Sequence, residues 1–351
     1  MNLLKLWEAW PIVGPWHLSP LSGGKNNRVW RAEAADGQCY VLRLTPDLLH
    51  IPRIRYEAAL LEILFQQQTP FLLPLPIRAH DGDIIVPFEQ ETGTSAFVAT
   101  LSPLLPGHMP DRNDLAVASN AGFALAWLDR ALVALPEMHF PEEIQIPPKF
   151  GELAHLHPLV PDPLAAVEQL PIDRDHAGQI RDFLTIAMET GADLYRWLPH
   201  QMLHRDYDPS NILVENQQVT AVLDFEFVGK DIRALDVCVA LSWWPVNLLG
   251  TGKEWEVIDA FGGSYVTHFP LSEQELLAFP DIWRLRDATS LVYRMGRYLA
   301  GLETDTHIQG RVQHSLWREA WLLANQETLL HHALMWRKGE RAQDEYSRIG
   351  P

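Results

Sequence analysis

Two aspartates and an asparagine carry the chemistry in the stretch "LHRDYDPSNILVENQQVTAVLDFEF", residues 203–227. Asp206 stands five residues before Asn211, and Asp224 closes the next apolar run, 18 residues after Asp206. A hard cation such as Mg²⁺ takes oxygen ligands, often one or two carboxylates together with phosphates of a substrate. Asp224 and the side-chain carbonyl of Asn211 offer such oxygens, and Asp206 is then left to accept a hydroxyl proton. Phosphoryl transfer needs these parts, because there the protein mainly positions groups and neutralises charge. Taken singly, Asp206, Asp208, Pro209, Ser210 and Asn211 are ordinary turn residues. As an ordered set with a second acid after an apolar strand, they point to one site.

The same spacing fits the H-R-D-x-x-x-x-N loop of kinases at His204, Arg205, Asp206 and Asn211. His204 is expected to brace the loop by hydrogen bonding rather than to carry protons. Around the site, "NILVEN" and "QVTAVLDF" are short β-rich runs separated by the turn-like "ENQQ". A hairpin there returns the chain to its start and brings Asp224 back towards Asn211.

The segment "HRDYDPSNILVENQQVTAVLDFEFVGKDIRALDVCVAL" resembles the aminoglycoside phosphotransferase and choline kinase-like superfamily, nearest the branch with type II homoserine kinases. The resemblance implies an α+β, bilobal protein-kinase-like fold with a small β-rich N-lobe and a larger, mostly helical C-lobe. It implies phosphorylation of a small-molecule hydroxyl with Mg²⁺ and ATP. It casts Asp206 as catalytic base, Asn211 and Asp224 as metal ligands, and Asp236 as the carboxylate that steadies the loop. "DFE" replaces the D-F-G of protein kinases, and no A-P-E segment follows, which disfavours a regulated protein kinase. A bacterial Ser/Thr protein kinase of the same superfamily and a non-catalytic nucleotide-binding module stand as alternatives.

The elements that must position these groups begin upstream. "PLSGGKNNRVWRAE" sets two glycines before a β-rich run, where backbone N–H groups can meet phosphate oxygens. Gly23, Gly24 and Asn27 match the family's nucleotide loop, although a plain hairpin turn would read much the same. Kinases place a Lys on the third strand, paired with a helix Glu. Here Arg43 and Glu57 take those positions, and an Arg fork suits phosphate and carboxylate alike. The connector "SPLLPGH" should meet adenine through backbone groups near Ser102 and Leu104. The expected organisation is an N-lobe over 1–101, a hinge over 102–108 and a C-lobe over 109–351.

Bulk composition excludes other classes. A net charge of -17 with no dense basic run argues against nucleic acid or an anionic membrane as partner. The apolar stretch "DVCVALSWWPVNLLG" is too short and too interrupted to span a bilayer. The N-terminus has no secretory pattern. Cys39 and Cys238 read as buried free thiols, so a cytoplasmic location is expected. Oligomeric state is not legible.

The acceptor is expected to be a cationic small molecule, with homoserine the first candidate. Asp208, Glu226 and Asp231 would raise the local concentration of cations. Trp243 and Trp244 would offer aromatic faces to an ammonium group.

Overall fold

The computed structural model describes residues 3–14, 16–21, 27–46, 48–89, 96–133, 135 and 148–348. Five antiparallel strands open the chain: β1 (His17–Pro20), β2 (Arg28–Glu33), β3 (Cys39–Pro46), β4 (Val86–Glu89) and β5 (Ala96–Pro103), in the order β1-β2-β3-β5-β4. The β2–β3 hairpin turns through Gly37, whose φ of 82° suits glycine. Along β3 alternate residues point to opposite faces. Tyr40, Leu42 and Leu44 enter a core with Trp10, Trp16 and Phe97. Arg43 points the other way, towards α1 (Ile51–Gln66).

Helix α1 ties the sheet to the rest of the molecule. Its Ile54 and Ala58 pack with Val98, Ile84 and Ile85 under the sheet. Tyr56, Leu60, Leu61 and Leu64, at helical spacing, join the main core instead. Within "DIIVPF" the strand begins only at Val86, and Ile84 and Ile85 before it are buried.

The second lobe is helical: α2 (Leu115–Val133), α3 (Pro163–Ala166), α4 (Arg174–Trp197), α5 (Leu235–Trp243), α6 (Glu254–His268), α7 (Glu273–Leu277), α8 (Phe279–Leu299) and α9 (Asp305–Arg348). Helices α2 and α6 approach closely because Gly122 has no side chain; a Cβ there would lie 2.2 Å from the Phe261 carbonyl oxygen. Two small antiparallel pairs lie among the helices. β6 (His200–Leu203) pairs with β9 (Gly229–Ile232), and β7 (Ile212–Glu215) pairs with β8 (Gln218–Val222). Asn216 and Gln217 both take positive φ, as a two-residue hairpin turn requires. The architecture is α+β and bilobal. Both cysteines are free thiols, but only Cys238 is buried; Cys39 is half-buried beside the Arg31 guanidinium. Among the described residues, no helix is long and apolar enough to cross a membrane.

Candidate active site

The loop joining β6 to β7 is pinned from several sides. Asp236, in the first turn of α5, accepts the backbone N–H groups of His204 and Arg205, both at 2.6 Å. His204 is buried, and burial pushes its pKa down to about 4, so the ring is neutral near pH 7. Its partners assign the tautomer: Nε2 donates to the Leu223 carbonyl at 3.0 Å, and Nδ1 accepts the Asp206 N–H at 3.3 Å. Both nitrogens are therefore used inside the loop.

Arg205 is a second anchor. Its guanidinium donates to the carbonyls of Phe227 (2.7 Å) and Pro148 (2.9 Å) and to Asp231 (3.1 Å), with the Phe150 ring 5.1 Å away. Gly229 makes room, since a Cβ there would lie 2.4 Å from that guanidinium. Asp231 is fully buried in this cluster and also accepts the Phe150 N–H and the Tyr195 hydroxyl. The expectation that Asp231 faces an acceptor is corrected: it neutralises Arg205 in a buried pair.

The reactive groups come together as the hairpin requires. The N–H of Leu223 bonds to the Asn211 carbonyl at 2.8 Å, which returns Asp224 to the start of β7. Asn211 Nδ2 donates both to the Asp206 carbonyl and to its carboxylate, each at 2.8 Å. That leaves Asn211 Oδ1 without a hydrogen bond among the described residues. Asp224 and Arg205 both hold left-handed backbone, with φ of 60° and 64°. Such geometry costs roughly 1–2 kcal/mol per non-glycine residue and concentrates at functional sites.

The local field is strongly acidic. Burial raises the Asp224 pKa to about 7, with Glu226 and Glu57 pushing the same way and Arg43 opposing. Burial, then Asp208 and Asp224, hold Asp206 well above the usual carboxylate range, with Arg286 opposing. Across the cleft Arg43 and Glu57 form a two-point ion pair, at 2.8 and 3.4 Å. Asp208 accepts the Ser210 N–H at 2.6 Å and the Ser210 hydroxyl, so one of its oxygens is committed within its own turn. Among the described residues no group of three or more His, Cys, Asp or Glu could hold a metal ion alone. A cation here would need ligands from phosphates as well, which is how Mg²⁺ usually binds.

Other expected residues divide. Gly23 and Gly24 lie outside the described residues; Asn27 is described, and its Oδ1 is buried without a donor among those residues. Ser102 and Leu104 correct the reading of the connector. β5 continues to Pro103, and the Leu104 N–H donates to the Cys39 carbonyl at 2.9 Å. Hydrogen-bonded pairs alternate along an antiparallel ladder, so Ser102, opposite Val41, also turns its backbone groups to β3. Pro103 turns its carbonyl away from β3. The tryptophans are corrected as well. Trp244 is buried against Phe261, and the Trp243 ring is covered by the Arg286 and Arg318 guanidinium groups at 4.7 and 5.9 Å. The aromatic face expected for a ligand's ammonium is occupied by the protein's own cations.

Two arginines escaped the sequence reading. Arg53, in the first turn of α1, lies over the Phe227 ring at 5.6 Å within the field of Glu226, and its Nη2 is buried without a hydrogen bond among the described residues. Arg286 on α8 places its charge within electrostatic range of Asp206. The place of Arg53 in "IPRIR", four residues before Glu57, was a signal for the first. Its lone sequence context offered none for the second.

A sequence model described as the phosphotransferase enzyme family matches residues 17–256, more than two thirds of the chain. The chain belongs to that family. Among curated members, the homoserine kinase of Acidiphilium cryptum (strain JF-5) is 28% identical over 227 residues, 61% of this chain and 63% of that one. The homoserine kinase of Polaromonas naphthalenivorans (strain CJ2) is 34% identical over 90 residues, 26% of this chain and 28% of that one. The chain thus spans less than two thirds of either relative. Solved phosphotransferase-like structures show the shared fold. A microcompartment-associated aminopropanol kinase superposes with a TM-score of 0.65 at 15% identity, covering 93% of this chain and 97% of that one. An amicoumacin kinase in complex with AMP-PNP, Ca²⁺ and Ami gives 0.64 at 14% identity, covering 90% and 92%. The protein-kinase-like bilobal fold expected for the family is the one observed.

Proposed function

We propose that this chain transfers the terminal phosphoryl group of ATP, with Mg²⁺, to the hydroxyl of a small amino alcohol in the cytoplasm, homoserine being the first candidate. The observation that carries the reading is Asp206, held through Asn211 in the same field as Asp224 and opposite Arg286. A carboxylate whose proton affinity is raised by burial and like charges suits general-base work near neutral pH. Asp206 is the group that orients the acceptor hydroxyl and takes its proton.

The donor set fits a hard cation. Asp224 offers a carboxylate made costly by its acidic neighbours, and Asn211 offers a free amide oxygen. These two residues would hold Mg²⁺. When bound, Mg·ATP supplies the phosphoryl group and the positive charge that screens it. Arg43, kept charged and oriented by Glu57, would meet phosphate oxygens, with Arg53 behind it. The glycine loop at Gly23 and Gly24 would cover the phosphates, and the Pro103 carbonyl is the group left to face the base. An ammonium group on the acceptor would meet Asp208 and Glu226. Relatives named homoserine kinase and a structural neighbour named aminopropanol kinase support an acceptor of this size and class. The neighbour solved with AMP-PNP and Ca²⁺ supports a nucleotide and a divalent cation.

The test is ADP release with Mg²⁺ and ATP against homoserine, 3-aminopropanol, choline, an aminoglycoside and a denatured protein. Release that rises above the water background with homoserine is the expected result. Release with the protein alone would replace this reading by a protein kinase, and no release with any acceptor would leave only nucleotide binding.

A further inference from the structure

The chain carries a net charge of -17, yet four arginines and one acid line a single cleft. Trp243 on α5, Arg286 and Arg294 on α8, and Arg311, His314 and Arg318 on α9 surround it. Only Trp243 falls inside the family match, which ends at residue 256. The cleft therefore belongs to a part of the chain that the family model does not describe.

Charge counting leaves an excess. Asp287 is the one acid in the lining. Arg318 holds it through two contacts, at 2.7 and 3.0 Å, and Arg286 touches it at 3.1 Å. Glu303 pairs with Arg294 at 2.6 Å and with Arg297 at 3.2 Å. Each carboxylate is thus shared between two guanidinium groups. Arg311 makes no hydrogen bond or ion pair among the described residues, and it feels repulsion from Arg294 against attraction from Glu303. His314 is held neutral by burial and by the surrounding arginines. The indole N–H of Trp243 is buried without an acceptor among the described residues. Four guanidinium groups around one carboxylate that is already shared suit an anion.

Position and size define which anion. Arg286 lines this cleft and also lies within electrostatic range of Asp206. The cleft has about 20 Å³ for the centres of water-sized groups. One water needs at least about 10–15 Å³ by that measure, so a carboxylate fits and a sugar ring does not. Homoserine separates its hydroxyl oxygen from its carboxylate carbon by four bonds, roughly 5 Å when extended. One end can meet Arg286 while the other faces Asp206.

We propose that Arg286 and Arg311 form an anion subsite that binds the carboxylate of the acceptor, so that the acceptor is a hydroxy amino acid rather than a bare amino alcohol. The subsite rests on the phosphotransferase reading for its purpose, but its ligand binding can be measured without turnover. A planar fork of N–H donors recognises a carboxylate bidentately, which lysine cannot do.

The experiment uses the full chain with Mg²⁺ and AMP-PNP, and titrates three probes by calorimetry. They are homoserine, 3-aminopropanol (the carboxylate removed) and 4-hydroxybutyrate (the ammonium removed). The wild type should bind homoserine at least about tenfold more tightly than 3-aminopropanol. Arg311→Gln, which breaks no ion pair among the described residues, should weaken homoserine and 4-hydroxybutyrate by about tenfold or more and leave 3-aminopropanol unchanged. Arg311→Lys should recover only part of the loss. Thermal unfolding of both variants checks that they fold. No detectable homoserine binding, tighter binding of 3-aminopropanol, or an Arg311→Gln variant indifferent to the carboxylate overturns the subsite. ADP release measured separately distinguishes the two readings. Carboxylate-dependent binding without release keeps the subsite and removes the kinase assignment; release with 3-aminopropanol above homoserine, unaffected by Arg311→Gln, does the reverse.

Discussion

The β6–β9 region and the α8–α9 cleft present opposite electrostatics within one lobe. Around the loop, burial and the charges of Asp208, Asp224 and Glu226 raise the proton affinity of Asp206 against Arg286, and burial with Glu226 and Glu57 raises that of Asp224 against Arg43. In the cleft, guanidinium groups outnumber the carboxylates they share. Arg286 belongs to both regions. Under the proposed function, a site divided this way would hold a cation with its phosphates on one side and an anionic acceptor group on the other. The comparison teaches that the acidic loop alone is a poor guide to the acceptor, because it accounts for an ammonium group and not for an anionic one.

The largest expected effect comes from removing charge on the acidic side. Asp224→Asn keeps a side chain that tolerates left-handed backbone while removing the carboxylate. Turnover should fall by roughly 10³-fold, and calorimetry should show Mg²⁺ no longer strengthening nucleotide binding. Unchanged Mg·ATP affinity in that variant would detach Asp224 from the metal.

A smaller effect is expected where the lobes meet. Arg43→Met would leave the Glu57 carboxylate buried without its partner, a loss of about 3 kcal/mol in unfolding free energy. Denaturant titration measures it. Glu57→Gln in the same background should restore part of the stability but not the nucleotide affinity. If the double variant bound ATP like the wild type, Arg43 would be structural only.

The smallest effect, taken per unit of pH, is a stability slope beneath the loop. Asp129 on α2 is buried beside Asp236, accepts the Tyr265 hydroxyl at 2.7 Å, and is held well above 3.8 by burial and then by the Asp236 charge. Asp236 must stay ionised to hold the loop, so Asp129 is the protonated partner. A carboxyl raised in the folded state stabilises fully below its unfolded value near 3.8 and loses that contribution as pH rises towards and through its folded value. Unfolding free energy should therefore decline as pH rises above about 5, with Asp129 contributing at most about 1.4 kcal/mol per pH unit. Asp129→Asn, which can donate to Asp236 permanently, should flatten the decline. A slope equal to the wild type's would place the proton elsewhere.

How much of this was legible follows from how each region is assembled. Asp206, Asn211 and Asp224 lie within one hairpin's length, so spacing alone brings them together, and Arg43 with Glu57 needs only one strand and the next helix. The cleft is assembled from α5, α8 and α9, whose packing no local pattern states. A signal was present nonetheless: Arg311, His314 and Arg318 fall at i, i+3 and i+7, one face of a helix, in a strongly acidic chain. Trp243 failed for the converse reason. Its type suited a ligand cation, but only the fold reveals that Arg286 and Arg318 already cover it. Asp231 likewise shows that a carboxylate near a site in sequence can be consumed by a buried arginine.

The central claim, proton acceptance by Asp206 during phosphoryl transfer, is tested most directly by single-turnover kinetics of Asp206→Asn with saturating Mg·ATP and homoserine. The account predicts phosphoryl transfer slowed by about 10²–10⁴-fold with ATP affinity within about twofold of the wild type. A variant that transferred phosphate at the wild-type rate would contradict it.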